Sequence, residues 1–189
     1  MEYTHTTFLG DGMSQTEAEF RLWETILTEY DFKRIIDLGT WKGNHALYLN
    51  MFAINRGADF YTYDNKDYED SPMKQFIGFD KSFFKKDIFK EATSIRTLIK
   101  KPGRTILFCD DGDKIREFRT FKPYLKVGDV IAVHDWGTEC KPIDVNTKDL
   151  HQVAHVDRLI FFERIASRFR LIKDKIKVEV SNPKITPIT

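Results

Sequence analysis

Aspartate recurs at one kind of position in this sequence, directly after short apolar runs. Asp37 closes Arg34-Ile35-Ile36, Asp64 closes Phe60-Tyr61-Thr62-Tyr63, and Asp87 follows Phe83-Phe84-Lys85-Lys86. Asp110 and Asp111 follow Thr105-Ile106-Leu107-Phe108-Cys109, and His134-Asp135 follows Val130-Ile131-Ala132-Val133. Aspartate suits strand exits because its side chain bonds nearby turn backbone, and that explains any single case. All five runs ending this way points further, to carboxylates converging on one rim. Such a rim favours a ligand with cationic or hydroxyl-rich parts and repels phosphate.

The first exit carries most information. Asp37-Leu38-Gly39-Thr40-Trp41-Lys42-Gly43 reads as strand, glycine loop and helix start. Gly39 would let backbone approach a ligand and Gly43 would allow close packing at the helix start. A dinucleotide fingerprint needs three glycines, G-x-G-x-x-G, with helix N–H groups aimed at a pyrophosphate. Two are present, and an aspartate precedes the first. That suits an ammonium and a sulfonium better than a diphosphate, with Asp64 placed to accept bonds from ribose hydroxyls. His134 is either a general base, its ordinary pKa being close to neutral, or a metal ligand beside Asp135, or a residue bonded to backbone. Trp41 either lines the loop or packs on the sheet, packing being the commoner outcome. Trp136 forms a substrate wall or takes the usual core role. His151 and His155 have metal-ligand spacing for a helix, but without an HExxH glutamate a solvated helix face is expected.

The elements that must position these residues follow from periodicity. A helix is expected over residues 14–30, opened by a Ser14/Glu17 capping box, with Phe20, Trp23, Ile26 and Leu27 at helical spacing. Further helices are expected over 44–55, ended by Gly57, and over 88–99, 114–124 and 150–162. Strands are expected at 60–64, 83–87, 105–109 and 130–133, with two more at 169–172 and 176–180. Continuous apolar strands alternating with helices imply a parallel sheet covered on both faces, which binds ligands beyond the strands' carboxyl ends. One domain over residues 1–189 is expected, with residues 1–33 an N-terminal helical segment packed on it.

Composition narrows the classes. Thirty Lys and Arg nearly cancel 29 Asp and Glu, giving a net charge of +1 and no field to draw nucleic acid or an anionic membrane. Lys85-Lys86 and Lys100-Lys101 read as solvated faces. The two cysteines, Cys109 and Cys140, form no CxxC pair, so neither a disulfide framework nor a zinc site is expected. Neither a leader-like start nor a membrane-length apolar stretch is found, and a cytoplasmic location is the expectation.

Ile36-Asp37-Leu38-Gly39-Thr40-Trp41-Lys42-Gly43 resembles the first motif of class I S-adenosylmethionine (SAM)-dependent methyltransferases. In detail it resembles the branch of cephalosporin-hydroxylase-like proteins and macrocin-type sugar O-methyltransferases. Leu107-Phe108-Cys109-Asp110-Asp111-Gly112-Asp113 resembles that branch's Asp-Gly-Asp strand end. Residues 128–135 resemble its strand ending in an acid or histidine followed by Asp. The likeness spans roughly residues 14–136.

The resemblance implies an α/β, doubly wound, mostly parallel seven-stranded sheet with helices on both faces, and an O-methyltransferase acting on a small hydroxylated acceptor, a sugar or glycosylated metabolite among them. Asp37, Gly39, Thr40, Trp41 and Gly43 would hold the methionine end of SAM, Asp64 the ribose, and Asp87 would lie by the adenine, with Asp110 also on the cofactor side. Residues 13–15 fall where relatives have a segment closing over the cofactor. Asp111 and Asp135 match positions that bind a divalent ion in metal-dependent relatives, and His134 stands where those carry a second acid. Imidazole ligates magnesium poorly and manganese acceptably, so Mg²⁺ or Mn²⁺ is implied at Asp111, His134 and Asp135, which are also the implied catalytic residues. Lys114, where the branch often has histidine, has no role assigned.

Two other readings compete. A nicotinamide-dependent oxidoreductase is opposed by the missing third glycine and the aspartate before the loop. A non-catalytic SAM-binding or assembly protein is the other, since no substrate-capping domain is evident and a homo-oligomer mate or partner could complete an acceptor pocket. Nucleic-acid base methylation is disfavoured because Asp110-Asp111-Gly112-Asp113 replaces an Asn/Asp-Pro-Pro-aromatic motif.

Overall fold

The computed structural model describes residues 5–66 and 79–166. A hairpin of β1 (His5–Phe8) and β2 (Asp11–Thr16) leads into α1 (Glu17–Glu29). Then follow β3 (Arg34–Leu38), α2 (Asn44–Arg56), β4 (Asp59–Asp64), the single turn α3 (Phe79–Ser82) and β5 (Phe83–Lys85). The rest is α4 (Ala92–Lys100), β6 (Thr105–Cys109), α5 (Lys114–Phe121) with a 3-10 turn Lys122–Tyr124, β7 (Val130–Val133), β8 (Leu150–Val156) and β9 (Leu159–Arg164).

Seven strands form one sheet in the order β5-β4-β3-β6-β7-β9-β8. The first five are parallel, while β9 runs antiparallel between β7 and β8. β3 and β6 sit at the centre with every residue buried, which is why they read as unbroken apolar runs. One face of the sheet packs against α1 and α2 through Trp23, Ile26, Leu27, Leu47 and Leu49. The other face packs against α4 and α5 through Ile95, Ile99, Phe118 and Phe121. The doubly wound, mostly parallel architecture is therefore as expected.

Three local expectations are corrected. The capping box is Thr16 with Glu19, not Ser14 with Glu17: Thr16 Oγ1 accepts from Glu19 N–H at 3.2 Å and Glu19 Oε2 accepts from Thr16 N–H at 2.8 Å. Ser14 instead belongs to β2, whose Met13 and Gln15 turn inward. The helix expected from residue 88 begins at Ala92, because Asp87 holds residues 87–91 in a turn through the N–H groups of Phe89 and Lys90. The helix expected over 150–162 is the hairpin β8–β9, turned at Asp157 and Arg158, with Asp157 at φ 48°. Leu159, Ile160, Phe161 and Phe162 are buried on both faces, and a short continuous apolar run has no period that separates strand from buried helix. His151 and His155 thus lie four residues apart on an exposed edge strand, about 13 Å at strand rise, too far to share an ion.

Residues 134–149, between β7 and β8, contain no helix; Trp136, Cys140 and Val145 from this loop pack into the second core instead. Trp136 meets Phe162 edge-on at 5.3 Å, which gives it the core role rather than a substrate wall. The strands expected at 169–172 and 176–180 fall outside the described residues. Among the described residues no helix is long and apolar enough to cross a membrane.

Candidate active site at the carboxyl edge of the sheet

The loop after β3 is pulled onto its neighbours by backbone bonds. Gly39 and Thr40 donate N–H to the Tyr63 carbonyl at 2.9 and 3.2 Å, carrying the β3–β4 pairing into the loop. Gly39 adopts φ 110°, and a Cβ there would lie 2.5 Å from the Asp110 carbonyl oxygen, so only glycine lets the loop rest on the β6 exit. The close approach seen is thus to protein backbone. Trp41, at φ 46°, donates its N–H to Asp64 Oδ2 at 2.8 Å; its side chain is 44% exposed with Lys42 Nζ 5.0 Å from its ring centre. Packing on the sheet is therefore not its role. Gly43, at φ 85°, caps α2 with no side-chain bond, so the first N–H groups of a 13-residue helix face the rim. Asn44 donates to the Gly12 carbonyl at 3.0 Å, while its buried Oδ1 has no partner.

The carboxylates divide by what they touch. Asp37 is buried, and its Oδ2 accepts from Thr62 Oγ1 at 2.7 Å, with Thr40 Oγ1 a further 2.5 Å from Thr62 Oγ1. Burial pushes Asp37 well above the usual carboxylate range; the Thr62 bond opposes this, and the charges of Asp110, Asp64 and Asp111 add to it. Asp37 therefore lies beneath the loop, buried and bonded to Thr62. Asp64 accepts N–H bonds from Trp41 and from Lys66, the latter on Oδ1 at 2.8 Å. Burial raises its pKa, those two bonds oppose, and Asp111 adds to the rise. Asp87 accepts from Phe89 N–H at 2.9 Å and serves its turn. Asp37, Asp64, Asp110 and Asp111 lie at the carboxyl ends of the adjacent parallel strands β3, β4 and β6, so these four share one rim.

At the β6 and β7 exits the structure gathers Asp110, His134 and Asp135, one ligand-type atom of each lying within 4.8 Å of the others. Asp111 is not in this set, contrary to its expected place as a metal ligand. Its Oδ1 accepts from Gly112 N–H at 2.8 Å, and its own N–H lies 3.4 Å from Glu117 Oε2. His134 Nδ1 is 3.0 Å from Asp110 Oδ1, and its Nε2 is 3.6 Å from Glu19 Oε2 of α1. Burial alone would pull this imidazole down. The charge and bond of Asp110, the nearby Glu19 and the charge of Asp135 outweigh it and push it up to about 10. His134 thus links α1 to the β6 exit, with Nδ1 facing Asp110 and Nε2 facing Glu19.

Sequence reasoning missed four members of this group. Glu19 is 1% exposed; burial would raise its pKa, but the nearby His134 and N–H bonds from Thr16 and Arg158 hold it below the usual range. Its spacing of four from Trp23 put it on the buried stripe of α1, the one signal that could have found it. Arg158 Nη1 lies 3.0 Å from Asp135 Oδ1. Lys114 Nζ lies 2.8 Å from Glu139 Oε2, 3.3 Å from Asp135 Oδ2 and 3.7 Å from Asp110 Oδ1, with its side chain only 7% exposed. Arg158 comes from the misassigned hairpin, and nothing local in the sequence marks Glu139.

The donor atoms of Asp110, His134 and Asp135 converge, yet both carboxylates already face positive groups. Asp135 has Arg158 on one oxygen and Lys114 on the other, and Asp110 Oδ1 lies between His134 and Lys114. A ligating imidazole must offer a lone pair, and both ring nitrogens of His134 already face carboxylates, Nδ1 toward Asp110 and Nε2 toward Glu19. In this arrangement the set does not fit a divalent ion.

No family model and no curated protein matches the chain. Among solved structures it is similar to CmcI with Mg and SAM, at a TM-score of 0.62 and 14% identity over 85% of this chain and 77% of that one. It is similar to a candidate caffeoyl-CoA O-methyltransferase from Staphylococcus aureus, at 0.60 and 8% over 82% and 86%. The SAH-bound Podospora anserina methyltransferase PaMTH1 matches at 0.53 and 13% over 82% and 80%. At these identities the likeness is one of fold.

Proposed function

We propose that this chain, which has the class I methyltransferase fold, is a SAM-dependent O-methyltransferase acting on a small hydroxylated acceptor. One observation carries the reading: the glycine loop, Asp64 and the acids of the β6 exit meet on the edge where this fold binds ligands. The residues present fit SAM. Asp64 has oxygens oriented by two backbone N–H groups and still offers lone pairs to ribose hydroxyls. The rim is acidic, which suits a sulfonium and an ammonium and opposes the diphosphate of a nicotinamide cofactor. Asn44 and Gln15 each keep a buried oxygen without a partner beside the loop and the β1–β2 hairpin.

SAM supplies an activated methyl group for in-line displacement, so the chain's contribution is largely positioning. The Gly39–Gly43 loop fixes the donor, and Asp64 fixes its ribose. The acceptor hydroxyl must lose a proton at or before attack. Asp111 is the carboxylate suited to take it: it is half-buried beside the loop and outside the ion-paired group around Lys114. Asp135, held by Lys114 and Arg158, orients the mouth. Its φ of 53° is the kind of backbone strain that collects at functional sites. A sugar or glycosylated metabolite is the acceptor class favoured by the resemblance of the strand-exit motifs.

Calorimetry with SAM, SAH and NAD tests the cofactor, and transfer of labelled methyl from SAM to a panel of sugars, phenols and glycosides tests the reaction. Binding of NAD without SAM overturns the reading. SAM binding without transfer to any acceptor supports a non-catalytic role instead.

A further inference from the structure

We propose that Lys114 is the resident cation of this centre, standing in place of a divalent ion, so that the chain works without metal. The metal-free turnover rests on the methyltransferase reading; the exclusion of metal does not. Lys114 opens α5 directly after Asp113, whose side chain caps that helix by accepting from Arg116 N–H at 3.0 Å. The cap and the first turn aim the lysine inward, where it is almost fully buried. Its ammonium has three N–H donors and is ringed by three carboxylates, Glu139, Asp135 and Asp110. Two of these are the acids whose oxygens converge with His134.

A divalent ion bound to Asp110 Oδ1 and Asp135 Oδ2 would have to enter the space between two oxygens that Lys114 already bridges. It would bring two positive charges against a buried ammonium, with Arg158 on the far oxygen of Asp135. Conversely, removing the ammonium would leave Asp110, Asp135 and Glu139 as three carboxylates around one point, a hard oxygen set that suits a divalent ion such as Mn²⁺. Because its donors all face carboxylates, Lys114 is a positioning residue: it neutralises and aligns the acids and offers no Lewis acidity to the acceptor.

The test is Mn²⁺ titration of the purified chain followed by electron paramagnetic resonance, with methyl transfer measured in EDTA. The expected result is no stoichiometric Mn²⁺ site below millimolar concentration in the native chain, and unchanged turnover in chelator. Lys114→Met should gain a Mn²⁺ site at least tenfold tighter, which loss of a merely structural contact would not produce. One-to-one Mn²⁺ binding by the native chain at micromolar concentration overturns the proposal, as does loss of turnover in EDTA. A folded Lys114→Met chain with no gain in Mn²⁺ affinity also overturns it. The native measurement decides the matter by itself if the variant does not fold. Failure of SAM to bind in calorimetry would strike the methyltransferase reading alone and leave the Mn²⁺ result standing.

Discussion

Gly39 and Asp110 are in backbone contact across the two central strands: a Cβ on residue 39 would come within 2.5 Å of the Asp110 carbonyl oxygen and 2.8 Å of the Asp111 nitrogen. The neighbouring atoms are backbone, so nothing flexible can yield. Gly39→Ala must therefore move either the loop after β3 or the exit of β6, while also forcing an L residue to φ 110°. Strain and overlap together predict a loss of about 2–5 kcal/mol. Denaturant unfolding measures it, and calorimetry should show SAM affinity falling with it, because both sides of the ligand edge are displaced.

Asp37 and Asp64 separate two roles that look alike in sequence. Asp37→Asn keeps a carbonyl oxygen for the Thr62 hydroxyl and removes no exposed charge, so SAM affinity should change less than threefold. Asp64→Ala loses a carboxylate that accepts two N–H bonds and, in the proposed complex, ribose hydroxyls. Charge-assisted hydrogen bonds of this kind are worth about 1.5–3 kcal/mol, which predicts roughly 10- to 100-fold weaker binding. Equal effects of the two substitutions in calorimetry would contradict this division.

Strand exits were legible because β3, β4, β6 and β7 are buried through their centres, and a continuous apolar run ending in a polar turn is what such strands require. The glycine loop was legible for the same reason. The β8–β9 hairpin was not, since the run Leu159–Phe162 is apolar on every face and offered no period. That one misreading hid Arg158, and with it the pairing of Asp135. The role of Lys114 was illegible for a different reason: a lysine at a helix start reads as solvated, and only the tertiary meeting of β6, β7 and residue 139 turns it into a buried cation. Asp37 was identified as an acid but not as a buried one, because burial depends on Thr62 from the adjacent strand.

Two histidines set opposite limbs of the pH–stability curve. His134 is pushed up to about 10, so its stabilising charge is fully present below the ordinary histidine value near 6.5 and is lost as pH rises through 10. His45 is driven down to about 3, chiefly by burial and then by the charge of His134. Its ring packs 5.2 Å from both Trp23 and Phe108. Its contribution is present above pH 6.5 and is lost as pH falls toward 3. Stability should therefore peak near pH 6–7. His134→Gln should flatten the alkaline limb by a few kcal/mol, and His45→Phe should flatten the acid limb. Urea midpoints measured from pH 4 to 10 check both; a slope unchanged in either variant would assign that limb to other groups.

Asp111 is the residue on which proton removal rests, and its position sets it apart from Asp110 and Asp135. Those two are engaged with Lys114, and Asp110 also with His134, whereas the Asp111 carboxylate accepts only from Gly112 N–H of its own turn among the contacts described. Asp111→Asn preserves an oxygen for that turn bond and removes the capacity to accept a proton. General-base contributions are about 10²- to 10⁴-fold, so kcat for transfer to a hydroxyl should fall by that range. SAM affinity should stay within about threefold, since a group acting on the acceptor has no share in donor binding. The loss should shrink for acceptors with more acidic hydroxyls, because a phenol needs less help in losing its proton than a sugar. Labelled-methyl assays on a sugar and on a phenol separate the outcomes. An equal fall with both would mean that Asp111 orients the acceptor rather than deprotonating it.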